Sequence, residues 1–106
     1  MERLVVYFGF NVTKPPGHVP VVDVRGIRNP YGLPEVKKAL AVINDPGFEP
    51  AVRNGVAHLN RSGVVFIGCG YGKDRSRIVA QEVSRRASVR AVHISEWLES
   101  TKGVKS

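Results

Sequence analysis

The sequence predicts an α/β fold: a small single domain over residues 1–106 with a mostly parallel sheet flanked by helices. Three observations predict it. Residues 4–8 (Leu4-Val5-Val6-Tyr7-Phe8) and 64–68 (Val64-Val65-Phe66-Ile67-Gly68) are continuously apolar, the pattern of strands covered on both faces. Segments with apolar residues at helical spacing alternate with the strand runs, which argues for parallel pairing. The second run passes through Cys69-Gly70-Tyr71-Gly72-Lys73-Asp74 into another helical pattern, giving a strand, a glycine-rich loop and a helix start. A chain of 106 residues suits one domain of ordinary size.

Taken in order, the first strand covers residues 4–8 and stops at Gly9. Lys14-Pro15-Pro16-Gly17 continues neither strand nor helix. A second strand is expected over residues 19–24, ending in Asp23-Val24-Arg25. Asn29-Pro30 and Gly32 mark an irregular stretch before a short helix over residues 35–41. Asn44-Asp45-Pro46-Gly47 reads as a turn. Phe48, Val52, Val56 and Leu59 then recur at helical spacing, so residues 48–60 form an amphipathic helix, with Pro50 tolerated near its start. Gly55 weakens that helix by about 1 kcal/mol relative to alanine.

The strand over residues 64–68 is followed by the strongest helix, residues 75–87. Val79, Val83 and Ala87 line one face with Ile78 beside them, while Arg77, Gln81, Ser84 and Arg85 face away. Residues 89–93 make a last strand. Ser95 is expected to cap a terminal helix over residues 96–100, with a frayed tail over residues 101–106. Trp97 reads as a packing anchor.

Sixteen Lys and Arg against nine Asp and Glu give a net charge of +7, which favours polyanions as partners. The excess is uneven: residues 1–60 hold seven basic and five acidic residues, residues 61–106 nine and four. One cysteine excludes an intrachain disulfide and any cysteine-rich zinc site. His18, His58 and His93 lack metal-ligand spacing, so neither metal nor cofactor is expected. No run approaches the roughly 20 apolar residues of a membrane span, and the N-terminus carries no signal-peptide pattern. A cytoplasmic protein is the expectation.

The glycine-rich loop carries the chemistry. The first N–H groups of a helix have no intrahelical acceptor and sit at the positive end of its dipole. Gly70 and Gly72 allow close backbone approach, and Arg75 adds a planar cation suited to phosphate. The segment is a candidate anion site, with Arg75, Ser76 and the N–H groups of residues 70–74 as its phosphate contacts. Asp74 immediately precedes the helix as its N-cap, where a carboxylate competes with a bound phosphate. Asp23 and Arg25 pair with each other or with the glycine loop.

Cys69, Arg75 and Ser76 also satisfy Cys-x5-Arg-Ser, the signature of the protein tyrosine phosphatase superfamily. In that reading Cys69 is a thiolate nucleophile with a depressed pKa, and Asp23 or Asp45 is the general acid. The histidine that usually precedes the cysteine is replaced by Gly68.

The whole pattern resembles the C-terminal domain of the RapZ/YvcJ family. The matching pieces are Tyr7-Phe8-Gly9-Phe10, Asp23-Val24-Arg25, Asn29-Pro30, Pro34-Glu35-Val36-Lys37, Gly68-Cys69 through Gly72, Arg75-Ser76, Ile78-Val79-Ala80-Gln81-Glu82 and Val92-His93. The family's N-terminal nucleotide-binding domain has a Walker A motif, and no Gly-x4-Gly-Lys-Ser/Thr occurs here, so the chain looks like a free-standing C-terminal domain. The resemblance implies a non-catalytic adaptor that binds RNA or senses an amino-sugar phosphate. It also implies an endoribonuclease as protein partner and assembly into homo-oligomers. The implied ligand-contacting residues are Cys69, Gly70, Tyr71, Gly72, Lys73, Asp74, Arg75, Ser76, Asp23, Arg25, Asn29 and Tyr31. Arg25, Arg28, Lys37, Lys38, Arg77, Arg85 and Arg86 are the candidate contacts to the RNA backbone. The chain departs from the family's usual turn at Gly70, Tyr71 and Asp74, and has Tyr31 and Asn11 where a histidine and a lysine are common. A third reading is a protein interaction module that has kept the fold and lost its ligand.

Overall fold

The computed structural model describes residues 2–104. Its elements run β1 (Leu4–Gly9), β2 (Val21–Asp23), α1 (Glu35–Ile43), α2 (Phe48–Ser62), β3 (Val64–Cys69), α3 (Arg75–Ala87), β4 (Arg90–His93) and α4 (Ile94–Val104). The four strands form one all-parallel sheet in the order β2-β3-β1-β4. The α/β class and the succession of elements are those expected from the sequence. None of the described helices is long and apolar enough to cross a membrane.

Alternate side chains of the central strands enter two cores. On one face, Val5, Val65, Ile67 and Cys69 pack with Val42 of α1, Val52 and Leu59 of α2, and Val79 and Val83 of α3. On the other, Val6, Phe8 and Phe66 pack with Ile94, while Trp97 of α4 and Phe10 and Val19 of the β1–β2 connection lie against them. Trp97 meets Phe66 edge-on with centroids 5.1 Å apart, the anchoring role expected of it. Covering both faces explains why β1 and β3 show no polar alternation.

Two glycines are explained by close packing. A Cβ on Gly55 would lie 2.8 Å from Val83 Cγ2, so the glycine that weakens α2 lets it approach α3. A Cβ on Gly68 would fall 2.5 Å from Phe8 Cζ and 2.6 Å from Phe10 Cε2. A histidine, or any other side chain, at the position before Cys69 would therefore force the Phe8 and Phe10 rings to move.

Several boundaries differ from expectation for local reasons. The second strand is three residues long rather than six; at its start Pro20 has no N–H to give a ladder, though its carbonyl still accepts from Phe66 N–H at 2.9 Å. Ser84 does not face away from the core: it is half-buried and its hydroxyl donates to the Val89 carbonyl at the end of α3. Ser95 does not cap the last helix. It lies inside the first turn, and its N–H donates to His93 Nδ1 at 3.1 Å, so the imidazole acts as the cap. That helix continues through residues 101–104, where a frayed tail was expected; Lys105 and Ser106 lie outside the described residues.

Candidate functional site

Strand order fixes where a ligand can sit. From β1 the chain crosses to the far side of β3 by a connection whose Phe10 and Val19 pack on the α4 face. From β3 it crosses to the far side of β1 through α3, on the opposite face. Connections that leave adjacent parallel strands in opposite directions open a crevice beyond their carboxyl ends. The loops after β1, β2 and β3 meet at that edge.

The β1 and β3 loops are fused there by backbone contact. Phe10 N–H donates to Cys69 O at 2.8 Å and Asn11 N–H to Gly70 O at 2.9 Å. A Cβ on Gly9 would lie 2.2 Å from the Tyr71 carbonyl carbon, and one on Gly72 would lie 2.6 Å from Gly9 N. Gly72 also has φ +75°, in the left-handed region that disfavours side chains. These contacts, more than flexibility, require glycine at both positions.

Cys69 sits at the floor of the loop and is 3% exposed. Gly72 N–H donates to its Sγ at 3.2 Å, and Ser76 Oγ lies 3.3 Å away. The thiol donates to that hydroxyl, and the thiolate accepts from it. Burial pushes the Cys69 pKa up, but hydrogen bonds from the Ser76 hydroxyl, Ser76 N–H and Gly72 N–H, together with the charge of Arg75, bring it below its ordinary value. Ser76 is fully buried in this role.

Arg75 turns toward the loop after β2. Its Nη1 donates to the Arg25 carbonyl at 2.8 Å and the Ile27 carbonyl at 3.2 Å. The cation that opens α3 thus braces residues 25–27. Asp74 occupies the N-cap position of α3 but makes no side-chain capping bond. Its carboxylate instead lies 3.6 Å from Lys38 Nζ and 3.7 Å from Arg77 Nη2. Two cations therefore offset the charge that would oppose a bound phosphate. No backbone carbonyl among the described residues accepts from the N–H groups of Lys73, Asp74 or Arg75.

Beside the loop is an open cavity of about 430 Å³, lined by Asn29, Tyr31, Cys69, Tyr71, Lys73, Asp74 and Arg75. These are seven of the residues expected at a ligand site. Gly70, Gly72 and Ser76 form the loop behind them, and Gly70 and Gly72 are buried. Asp23 and Arg25 do not line the cavity. They form a bidentate pair, with Arg25 Nη2 2.6 Å from Asp23 Oδ2, and the Arg25 guanidinium lies 4.1 Å from the Phe10 ring centroid. The Arg25 hydrogen bonds hold the Asp23 carboxyl below its usual pKa. Gly47 and Arg28 N–H groups do the same for Asp45, at 2.8 and 2.9 Å. Both residues considered as general acids are thus favoured as carboxylates.

The seven cations considered for RNA are not gathered at this cavity. Arg77 and Arg85 line a separate groove with Glu35 and Glu82. Arg85 and Arg86 both bind Glu82, and Arg86 also binds Glu49. Lys38 binds Glu35 and Asp74. Arg28 and Lys37 have no ion-pair partner among the described residues, and neither has Lys73, which was not counted among the seven. Asn11, which stands where the resemblance has a lysine and is not among the expected ligand contacts, also lies at the loop: its Nδ2 would be 3.6 Å from a Cβ on Gly70. Its position two residues past Gly9, on a loop leaving the carboxyl end of β1, was the available signal. Set against models of known protein families and against curated proteins, the chain matches none.

Proposed function

We propose that this chain is a non-catalytic binding domain for phosphate-bearing ligands, an adaptor of the RapZ C-terminal type whose ligand is RNA or a phosphorylated metabolite. The observation that carries the reading is the cavity beyond the carboxyl ends of β2 and β3, walled by the glycine-rich loop and by Lys73 and Arg75. The Lys73, Asp74 and Arg75 N–H groups, unpaired among the described residues, and a net charge of +7 support an anionic occupant. The neutralisation of Asp74 by Lys38 and Arg77 supports it further.

The test is a calorimetric and thermal-shift titration with inorganic phosphate, glucosamine 6-phosphate and a single-stranded RNA, for wild type and Lys73→Glu. Lys73 is exposed, so the reversal leaves the core intact. A ligand that binds the native state raises the midpoint with its concentration. Stabilisation of wild type and its loss in Lys73→Glu is the expected result. RNA affinity should fall steeply with salt as counterions are released. No response to any of the three ligands would refute the proposal.

The depressed pKa of Cys69 favours a second reading, a cysteine phosphatase. Against it stand the 3% exposure of Cys69 and the ionised state favoured for Asp23 and Asp45. Aryl phosphate turnover that vanishes in Cys69→Ser would establish that reading in place of the first.

A further inference from the structure

Two tyrosines on the cavity wall are exposed to an unusual degree. Tyr31 is 87% exposed and Tyr71 66%. Both line the same cavity as Lys73 and Arg75, although they come from the loops after β2 and β3. Neither ring is paired with another aromatic ring or covered by a guanidinium among the described residues. The Tyr31 main chain is held by its N–H, which donates to Asn29 Oδ1 at 3.1 Å, and the Asn29 amide N–H groups have no acceptor among the described residues. Exposed aromatic faces beside a cation and an anion-receptive loop are what stacking on a flat, phosphate-bearing ring requires.

We propose that this cavity takes a nucleotide, its base stacked on Tyr71 and Tyr31 and its phosphate directed to Lys73 and the glycine-rich loop. The Asn29 amide and the Asp74 carboxylate supply a donor and an acceptor for the edge of the base. The volume of about 430 Å³ falls in the ordinary range of small-ligand sites. This inference rests on the proposed phosphate-binding function and goes beyond it by naming the ring. The nucleotide has two possible sources, a free mononucleotide or an unpaired residue of an RNA strand.

The experiment measures anisotropy of a labelled single-stranded RNA octamer and of an abasic octamer with the same number of phosphates. Nucleoside monophosphates and glucosamine 6-phosphate serve as competitors. Proteins are wild type, Tyr31→Ala, Tyr71→Ala and the Tyr31→Phe/Tyr71→Phe double variant, each checked for an unchanged thermal midpoint. Each alanine variant should lose about 5- to 150-fold in affinity for the base-bearing octamer. Neither should lose affinity for the abasic octamer, and the phenylalanine variant should bind like wild type. Competition by a mononucleotide with the same tyrosine dependence assigns the free nucleotide as ligand; its absence assigns the RNA strand. Equal binding of base-bearing and abasic octamers by wild type would overturn the stacking inference and leave phosphate binding standing. So would tyrosine-dependent competition by glucosamine 6-phosphate, since the stacked ring would then be a sugar. Failure of every probe to bind would overturn both proposals.

Discussion

Replacing Gly9 by alanine would put a methyl carbon 2.2 Å from the Tyr71 carbonyl carbon, 2.5 Å from its Cα and 2.6 Å from Gly72 N. All three neighbours are backbone atoms, so no rotamer change relieves the clash. Comfortable carbon contacts need about 3.5–4.0 Å, and the β1 and β3 loops must part by about 1.3 Å or more to reach that range. The same seam carries the Phe10 N–H to Cys69 O and Asn11 N–H to Gly70 O hydrogen bonds, at 2.8 and 2.9 Å. Stretched that far, neither survives as a hydrogen bond. Overpacking costs about 1–3 kcal/mol, and each hydrogen bond contributes about 0.5–1.5 kcal/mol. The sum, about 2–6 kcal/mol, is a large part of the roughly 5–15 kcal/mol that holds an ordinary domain together. Urea unfolding followed by the fluorescence of Trp97 reads it directly. With a slope of about 1–3 kcal/mol per molar, the midpoint should fall by about 1 M or more. Gly26→Ala is the control, because a Cβ there meets nothing within 4 Å. If Gly9→Ala unfolds at the same urea concentration as Gly26→Ala, the close approach of the two loops is refuted.

Three further outcomes follow from the site and its surroundings. Ser76→Ala should raise the pKa of Cys69, so alkylation by iodoacetamide at pH 7 slows while the rate at high pH is retained; an unchanged pH profile would remove Ser76 from the thiolate's support. The folded pKa of Cys69 lies below its unfolded value, so the corresponding stability is complete above the unfolded pKa and fades as pH falls through the folded one. Hydrogen bonds from Arg86 hold Glu49 at about 2, and those from Arg85 and Arg86 hold Glu82 at about 2; their stabilisation is present above about 4.5 and lost as pH falls toward 2. Arg86→Ala should therefore flatten the decline of the thermal midpoint between pH 5 and pH 2, modestly and less so at high salt, because the network is at the surface. Arg75→Ala removes the donors to the Arg25 and Ile27 carbonyls, and should cost about 1.5–3 kcal/mol. Amide exchange over residues 24–28 should accelerate, and an unchanged exchange pattern would show that Arg75 does not brace that loop.

The elements of this fold were legible because their causes are local. The apolar runs that became β1 and β3, the glycine turn and the helical spacing from Ile78 to Val83 each fit within a dozen residues. Strand order was not legible, since it depends on which face each connection crosses. Side-chain partners divided the same way. Arg85 and Arg86 find Glu82 three and four residues back, a spacing visible in the sequence, but Glu49 reaches Arg86 from 37 residues away. Arg75 lines the cavity, but its bonds to the Ile27 and Arg25 carbonyls, 48 and 50 residues away, are not visible in the sequence. Ser95 drew attention as a cap by residue type, whereas the imidazole two residues earlier was free to do the same work. At the site, the loop and seven cavity-lining residues were foreseen, and the detachment of Asp23 and Arg25 from them was not, because Phe10 supplies a platform for Arg25 that no local rule predicts.

The position of β1 has a consequence for how the chain is made. β1 is synthesised before the other three described strands, yet its neighbours in the sheet are β3 and β4, with Leu4 opposite Val64 and Arg90. Until residue 64 has been synthesised, no native sheet partner exists for the backbone of this continuously apolar segment. β2 cannot substitute, since it too pairs only with β3. Such a segment is prone to pair with copies of itself while it waits. Nascent chains halted before residue 69 should thus be the aggregating species, and completion of β3 is the step that gives both earlier strands their partner.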